Sequence, residues 1–383
     1  MINKAILLVN DCILKRKWLY RYNNSSNVNQ LFGVWSSVGF CVKVYIFGWI
    51  IHPVIRGLKE KMNKKVTISI VAVLIIVVIV SGAFIYTNNN AGSNKTGSQN
   101  LSVIDDEGYT TNFTSVPQRI ISLAPSNTQI AFAVGVGNRV VGVTYYDHYP
   151  YNFTAWIAAG NLTSVGGFST PNKETIASLN PDLILATPIN DPDVITLRSL
   201  GYKVLVLNPN DVNGVFTDIN LVGKATGATQ NATNLVNSLT SQINAIQAKI
   251  SAANLPKPTV YYEVWTPPLM SAGTTSFIND VISKAGGINI FENETQQYPT
   301  VSSETIVQKN PDVILLPTDM ANPGDTPFYG SVNDVKARPG WSSISAVQNN
   351  RIIVVDGDLF AEAGPRIADQ IAAAAKAFYP SLF

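Results

Sequence analysis

The sequence predicts an α/β fold of two lobes with mainly parallel sheets, bridged by a single long helix and preceded by an N-terminal transmembrane anchor. Three observations predict it. A motif of 13 residues recurs 130 residues further along the chain, a long helical pattern lies between the two copies, and an uncharged apolar stretch precedes both. At 383 residues the chain can hold two ordinary domains with sizeable cores.

The repeated motif reads ETIASLNPDLILA from Glu174 and ETIVQKNPDVILL from Glu304. In each copy an acidic residue opens a short helix, which stops before Pro181 or Pro311, and a run of branched residues then forms a buried strand. Such runs are typical of parallel strands that are covered on both faces. Two copies at this spacing indicate two α/β lobes of similar design.

Other predicted elements surround these copies. Strands are predicted over 119–124, 140–144, 204–207, 259–265 and 351–355, and helices over 126–134, 277–285 and 367–378. For the first of these helices, Ser126 or Asn127 is the predicted N-cap and Gly135 the stop signal.

Between the two lobes we predict a helix over 229–253, because this stretch contains neither Pro nor Gly. Its apolar stripe recurs every three or four residues and consists of Leu235, Leu239, Ile243, Ile246 and Ile250. A helix of this length reaches roughly 37 Å, enough to cross from one lobe to the other. The predicted boundaries are 101–228 for the N-terminal lobe, 229–254 for the connecting helix and 255–383 for the C-terminal lobe. A single helical connector is stiff, so we do not expect the two lobes to close over a large distance.

The N-terminal apolar stretch runs over 66–86 without a charge and is long enough to span a bilayer. Lys59, Lys61, Lys64 and Lys65 precede it, so the positive-inside rule places its N-terminal side in the cytoplasm and the body outside the cell. A cleaved signal peptide is the alternative, because small residues occur at 81–83; the length of the stretch favours an uncleaved anchor.

The basic segment 1–65 precedes this anchor, and a flexible polar tether is predicted over 87–100. Met62 opens the sequence MNKK directly before the anchor, which indicates that the true start lies there. If the first 61 residues are translated, 31–51 is a second possible span. N-x-S/T sequons on the outward side agree with an extracellular body; they begin at Asn94, Asn100, Asn112, Asn152, Asn161, Asn231 and Asn293.

Charge and cysteine content exclude several classes of function. Residues 1–100 hold 12 of the 27 Lys and Arg but only 2 of the 25 Asp and Glu, so the body is acidic and nucleic-acid binding is not expected. Both cysteines, Cys12 and Cys41, precede the body, which therefore has no disulfide, thiolate metal site or iron–sulfur ligands. The body contains one histidine, His148, and no hydrolase motif, so we expect neither an enzyme nor a resident cofactor.

Seven segments in order give a family resemblance from about Val103 to the C-terminus. They are RIISLAPSNTQIAFAVG, VVGVTYYDHYP, VGGF with the first repeat, SAGTTSFINDVISKAGGINIF, the second repeat, RPGWSSISAVQNNRIIVVDGD and AGPRI. Together they resemble the cobalamin- and iron-siderophore-binding proteins of ABC importers, in which one long helix joins two α/β lobes. The N-terminal anchor departs from the lipid-modified cysteine that is commonest in bacterial members.

The resemblance implies a cleft between the lobes that is lined by aromatic side chains and binds a corrinoid, a ferric siderophore or haem. The corresponding residues are Tyr145, Tyr146, Phe168, Trp265, Tyr298, Asp358 and Phe360. Aromatic rings supply rigid contact area and a polar tip for peripheral amides. The alternative interpretation is that aromatic residues at strand ends simply pack in the core or in loops.

The resemblance also assigns a docking role to Glu174 and Glu304, each of which would meet arginines on a permease subunit. An acidic residue in the first helical turn also interacts favourably with the helix dipole, which is the simpler explanation. His148 is a candidate metal ligand but is more often a surface residue in such a turn, and Arg366 is a candidate partner for an anionic siderophore.

Three hypotheses of function follow. The first is the binding subunit of an ABC importer, with permease and ATPase subunits as partners. The second is a cluster-binding enzyme on a related scaffold, which the cysteine-free body disfavours. The third is a surface adhesion module, which leaves the internal repeat unexplained.

Overall fold

The computed structural model describes residues 101–318 and 331–383. The predicted basic segment, transmembrane anchor and tether all lie outside these residues. Among the residues described, no helix is both long and apolar enough to cross a membrane.

The first lobe begins with an antiparallel hairpin of β1 (Leu101–Ile104) and β2 (Thr110–Phe113). Its five-stranded sheet is parallel, has the order β5-β4-β3-β6-β7 and consists of β3 (Ile120–Ser122), β4 (Val140–Val143), β5 (Thr163–Ser164), β6 (Leu183–Ala186) and β7 (Val204–Val206). The helices are α1 (Pro125–Ala133), α2 (Phe153–Ala158), α3 (Lys173–Ser178), α4 (Asp191–Ser199) and α5 (Val212–Ala225). Every residue of β3, β6 and β7 is buried, as expected for a sheet covered on both faces.

The connector α6 (Thr229–Ala253) has the predicted bounds and ends at Asn254, which adopts a left-handed conformation. It packs against α5, and this crossing is close because a Cβ on Gly223 of α5 would lie 2.4 Å from that of Ala232. Leu239 and Ile243 of the predicted stripe are buried.

The second lobe has a parallel sheet of order β11-β10-β8-β9, built from β8 (Thr259–Tyr262), β9 (Ile288–Asn289), β10 (Val313–Pro317) and β11 (Ile352–Val355). Its helices are α7 (Phe277–Lys284), α8 (Ser303–Lys309), α9 (Val332–Lys336), α10 (Ser345–Gln348), α11 (Gly357–Ala361) and α12 (Ile367–Phe378). The connector α6 also packs against α12, so it contacts helices of both lobes. One continuous apolar cluster includes Ile120 and Ile219 of the first lobe, Leu239 of α6, and Val260 and Ile371 of the second.

The repeated motif forms the same local structure in both lobes. Asn180 and Asn310 have φ angles of 45° and 44°, which turn the chain after α3 and α8. The following aspartates then hold the start of the neighbouring strand. Asp182 accepts hydrogen bonds of 2.8 Å from the backbone of Arg119 and of Gln118 before β3, and Asp312 accepts one of 2.9 Å from Thr259 of β8.

Most predicted elements are confirmed with small changes at their ends, but the N-cap of α1 is a correction. The helix begins at Pro125, and the N-cap is Ala124, whose side chain makes no capping bond. Proline at the first helical position is preorganised for helix entry, so the helix starts before Ser126 and Asn127. Gly135 follows the helix with a φ of +85°, as predicted for a stop signal.

Candidate ligand-binding site

The loops at the carboxyl ends of the two sheets meet in two places. On one side, Gln129 of α1 contacts Glu362 and Arg366, which follow α11. On the other side, the Gln297 side chain donates a 3.2 Å hydrogen bond to Asn210, which follows β7. Because ligands of open α/β sheets bind beyond the carboxyl ends of the strands, the candidate site is the surface between these two contacts.

Three predicted aromatic residues of the first lobe form one cluster. The ring centroids of Tyr145 and Tyr146 are 4.4 Å apart, and those of Tyr146 and Phe168 are 5.2 Å apart. Tyr145 is 51% exposed, so its ring is available to a ligand. The hydrogen bond between the two tyrosine hydroxyls, and then burial, raise the pKa of Tyr146.

Glycine and asparagine residues position this cluster. A Cβ on Gly167 would lie 2.7 Å from the Tyr145 hydroxyl, so a larger residue there would displace the ring. Gly166 has a φ of +99°, which favours glycine. The buried Asn190 side chain donates a hydrogen bond to the Phe168 carbonyl and accepts one of 3.0 Å from the Thr187 backbone. Asn190 was not predicted as a site residue, although its position after a buried strand was a usable signal.

In the second lobe, isolated β-bridges through Met270 connect the segments that carry Trp265 and Tyr298. Trp265 follows β8, is 41% exposed and pairs with Met270. Met270 also pairs with Thr300, which directly follows the Tyr298-Pro299 turn. Burial raises the pKa of the half-buried Tyr298 to about 12, so its phenol is neutral under ordinary conditions.

The predicted turn at 358–360 divides into a core residue and a surface residue. Phe360 is fully buried and stacks on Tyr262 with a centroid distance of 6.2 Å, so in this structure it does not present its ring to the candidate site. The short helix α11, capped by Asp356, directs this side chain into the core. Asp358 is half-buried, and its carbonyl accepts a 3.0 Å hydrogen bond from Arg366.

Both arginines near the candidate site are engaged by carboxylates. Arg338 donates two hydrogen bonds, of 2.5 and 2.8 Å, to the buried Glu263, which directly follows β8. Arg366 donates one of 2.9 Å to Glu362 and lies over the ring of Tyr149. Arg366 is therefore part of the contact between the lobes.

The loops beyond the strand ends are otherwise rich in acid and nearly without cations. The segments compared are 123–128, 144–152, 165–172, 187–193 and 207–211 of the first lobe, and 263–276, 290–302 and 356–366 of the second. These described segments contain 10 Asp and Glu residues, and Arg366 is their one Lys or Arg. His148 is exposed next to the buried Asp147. In the described part of the chain, no group of three or more His, Cys, Asp and Glu side chains is placed to hold a metal ion.

Glu174 and Glu304 occupy the same position, the second residue of α3 and of α8, and both are exposed. The N-cap residues are Asn172 and Ser302, whose side chains accept a hydrogen bond from the third residue of each helix. Bonds from its own backbone N–H and from the Ser302 hydroxyl lower the pKa of Glu304. Helix capping is already provided by the N-cap residues.

Comparison with known proteins identifies the family. The family model described as periplasmic binding protein matches residues 120–359. The chain belongs to this family. It is 32% identical over 274 residues to the Bacillus subtilis protein named uncharacterized ABC transporter substrate-binding lipoprotein YvrC, covering 70% of this chain and 82% of that one.

Two further relatives bear on the ligand. The vitamin B12-binding protein of Vibrio cholerae is 28% identical over 256 residues, which are 66% of this chain and 86% of that protein. The solved structure of the periplasmic heme-binding protein RhuT from Roseiflexus has a TM-score of 0.61 and 25% identity, covering 70% of this chain and 99% of that one. The chain is therefore an ABC-transporter substrate-binding protein of the group that includes B12, heme and iron binders, and proteins of this kind work with permease and ATPase subunits.

Proposed function

We propose that this protein is the extracellular substrate-binding subunit of an ABC importer and that it captures a corrinoid between its lobes. The observation that carries this choice is the combination of exposed aromatic rings with loops that are acidic and nearly free of cations. A corrinoid is a large, partly apolar macrocycle with amide groups at its rim. Aromatic rings suit its face, and carboxylate and hydroxyl oxygens suit its amide donors.

An anionic ligand is the alternative, and the charges of the site disfavour it. Haem carries propionates, and many ferric siderophores carry a net negative charge. Such a ligand would face the carboxylates of the loops, while Arg366 and Arg338 are already held by Glu362 and Glu263. Like charges at an interface cost binding free energy unless cations compensate them.

The proposed ligand-binding residues come from both lobes. Tyr145, Tyr146 and Phe168 form the face of the first lobe, and Trp265 and Tyr298 form that of the second, with Asp358 beside them. We leave Phe360 out because it lies in the core. Glu174 and Glu304 are proposed to dock the two lobes onto the permease, since both are exposed and neither is the N-cap of its helix.

A binding measurement with the purified full-length protein in detergent tests the ligand. Cyanocobalamin should bind with one site per chain and more tightly than haemin or a ferric catecholate siderophore. Replacing Trp265 with Ala should weaken binding by about 1–3 kcal/mol, as for other aromatic anchors. Tyr151→Ala is the matched control, because Tyr151 is 49% exposed but stacks on Trp156 outside the proposed set. Tighter binding of an anionic chelate would reject the corrinoid assignment.

The apolar stretch 66–86 is proposed to anchor the body to the outside of the cell membrane. Protease added to intact cells should then release a fragment that begins within 87–100. A body that becomes accessible only after the membrane is permeabilised would show that this orientation is wrong.

A further inference from the structure

A charged cluster lies in one of the two contacts between the lobes, outside the aromatic set. The second lobe contributes Glu362, Arg366 and Asp358, and the first lobe contributes Gln129 and Asp147. Both Gln129 and Arg366 donate hydrogen bonds to the same oxygen of Glu362, Oε2. The Gln129 side-chain carbonyl in turn accepts a 3.2 Å bond from Arg366. Glu362 thus bonds directly to a side chain of the opposite lobe.

The groups of this cluster are held in place on both sides. The fully buried Gln370 of α12 donates hydrogen bonds of 2.6 and 2.7 Å to the carbonyls of Glu362 and Leu359. On the first lobe, Asp147 accepts bonds of 2.6 and 2.9 Å from the hydroxyl and backbone of Thr144. These bonds fix the backbone that carries Glu362 and the carboxylate of Asp147.

The charge balance within the contact is unfavourable when every carboxylate is ionised. Arg366 is the cation of the cluster, and it shares the region with three carboxylates, those of Asp147, Asp358 and Glu362. Burial, followed by repulsion from Asp358 and Asp147, raises the pKa of Glu362 to about 7, although Arg366 lowers it. Burial raises the pKa of Asp147 to about 6, against the lowering effects of Thr128, Thr144 and His148.

We propose that the contact between the lobes binds a proton through Glu362, so that acidification tightens the contact and a rise in pH loosens it. Glu362 acts as a positioning residue, because it reaches the ligand site only through the arrangement of the lobes. The sign follows from linkage. A carboxyl group that binds its proton more tightly in the contact than in water favours the contact at low pH, and this advantage is lost as pH rises through 5 to 7.

Hydrogen exchange of the full-length protein tests this inference without any ligand. Protection factors, corrected for intrinsic exchange, are compared between pH 5.5 and 8 for backbone amides of 126–132 and 358–370. We expect protection to fall with rising pH, by at most about tenfold per pH unit for each proton released. Glu362→Gln should remove most of this dependence. Glu292→Gln, which changes an exposed carboxylate of the same lobe, should leave it unchanged.

The Asp147→Asn variant keeps the inference testable if Glu362→Gln fails to fold. Loss of the Asp147 charge removes a repulsion, so the pKa of Glu362 should fall and the loss of protection should move to lower pH. Protection that does not depend on pH in the wild type would overturn the proposal. So would a Glu362→Gln protein with the wild-type profile, or an Asp147→Asn protein whose transition stays in place.

Discussion

The two lobes share a scaffold and differ in the loops that it carries. The strand order β9-β8-β10-β11 of the second lobe corresponds to β4-β3-β6-β7 of the first, because Asp312 holds β8 as Asp182 holds β3. Strand β5 has no counterpart among the described strands of the second lobe, and the loop after it carries Phe168. The duplicated strands thus build the scaffold of each lobe, and the proposed ligand contacts of the first lobe lie partly outside them.

The lobes also differ in how they accommodate a buried acid. Glu263 of the second lobe is buried against Arg338 with two hydrogen bonds. Asp218 on α5 of the first lobe is buried with no donor to either oxygen in the described part of the chain, and the Asp106 carboxylate lies nearby. One lobe balances a charge with an ion pair, whereas the other must keep a proton.

The largest effect is expected from reversing the charge of both helix-start glutamates. A Glu174→Lys/Glu304→Lys protein should lose uptake of the ligand by cells, because each lobe would then repel the proposed arginine-lined surface of the permease. Ligand affinity and fold should be unchanged. The control, Asp369→Lys, reverses the charge of an exposed residue outside the loops beyond the strand ends and should transport normally. Normal uptake by the glutamate variant would show that neither residue takes part in docking.

Neutralising the two buried acids should change stability in opposite directions. Glu263→Gln should destabilise the protein by about 3 kcal/mol, because it removes the buried carboxylate charge that pairs with Arg338. Asp218→Asn should stabilise it at pH 8 by more than about 1 kcal/mol, since burial and then Asp106 raise the pKa of Asp218 to about 9. Urea unfolding at pH 5 and 8 measures both.

The pH dependence of the Asp218 effect has a definite sign. The pKa of Asp218 is raised above the value of about 3.9 for an unfolded aspartate. Wild-type stability from this group is therefore complete below about pH 4 and is lost as pH rises toward 9. The gain from Asp218→Asn should be larger at pH 8 than at pH 5. An equal gain at both values would contradict the assignment.

The smallest effects concern the repeated aspartates. Asp182→Ala and Asp312→Ala should each destabilise the protein by about 1–2 kcal/mol. The first leaves the N–H groups of Gln118 and Arg119 without their acceptor, and the second leaves the N–H and hydroxyl of Thr259 without theirs. Glu174→Ala and Glu304→Ala serve as controls and should leave the unfolding free energy nearly unchanged, because both side chains are exposed. Similar losses at the glutamates would give them a structural role instead.

Much of the scaffold could be predicted from the sequence because local patterns encode it. The connector over 229–253 has a continuous apolar stripe without a helix breaker, and its bounds are confirmed. The two repeats predict equivalent strands because Pro and Asp follow a helix at the same spacing. The helix start at Pro125 was predicted wrongly because Ser126 and Asn127 are also good N-cap residues. The proline before them determines where the helix begins.

The site was less predictable because it depends on contacts between distant residues. Tyr145, Tyr146 and Phe168 follow neighbouring strands, so their cluster could be anticipated, and the distances agree with it. Nothing local shows that Arg366 would be held by Gln129, which lies 237 residues away. Phe360 was wrongly expected at the site, since an aromatic residue beside a turn can equally well point into the core.

The shared core also determines whether the protein could be divided into two pieces. The connector α6 buries Ala232 against α5, and its far end packs on α12. A fragment that ends before α6 would expose an apolar face of α5, and a fragment that begins after it would expose one of α12. The lobes are therefore symmetric in design but not separable as soluble halves, and either piece produced alone should aggregate unless the other is supplied with it.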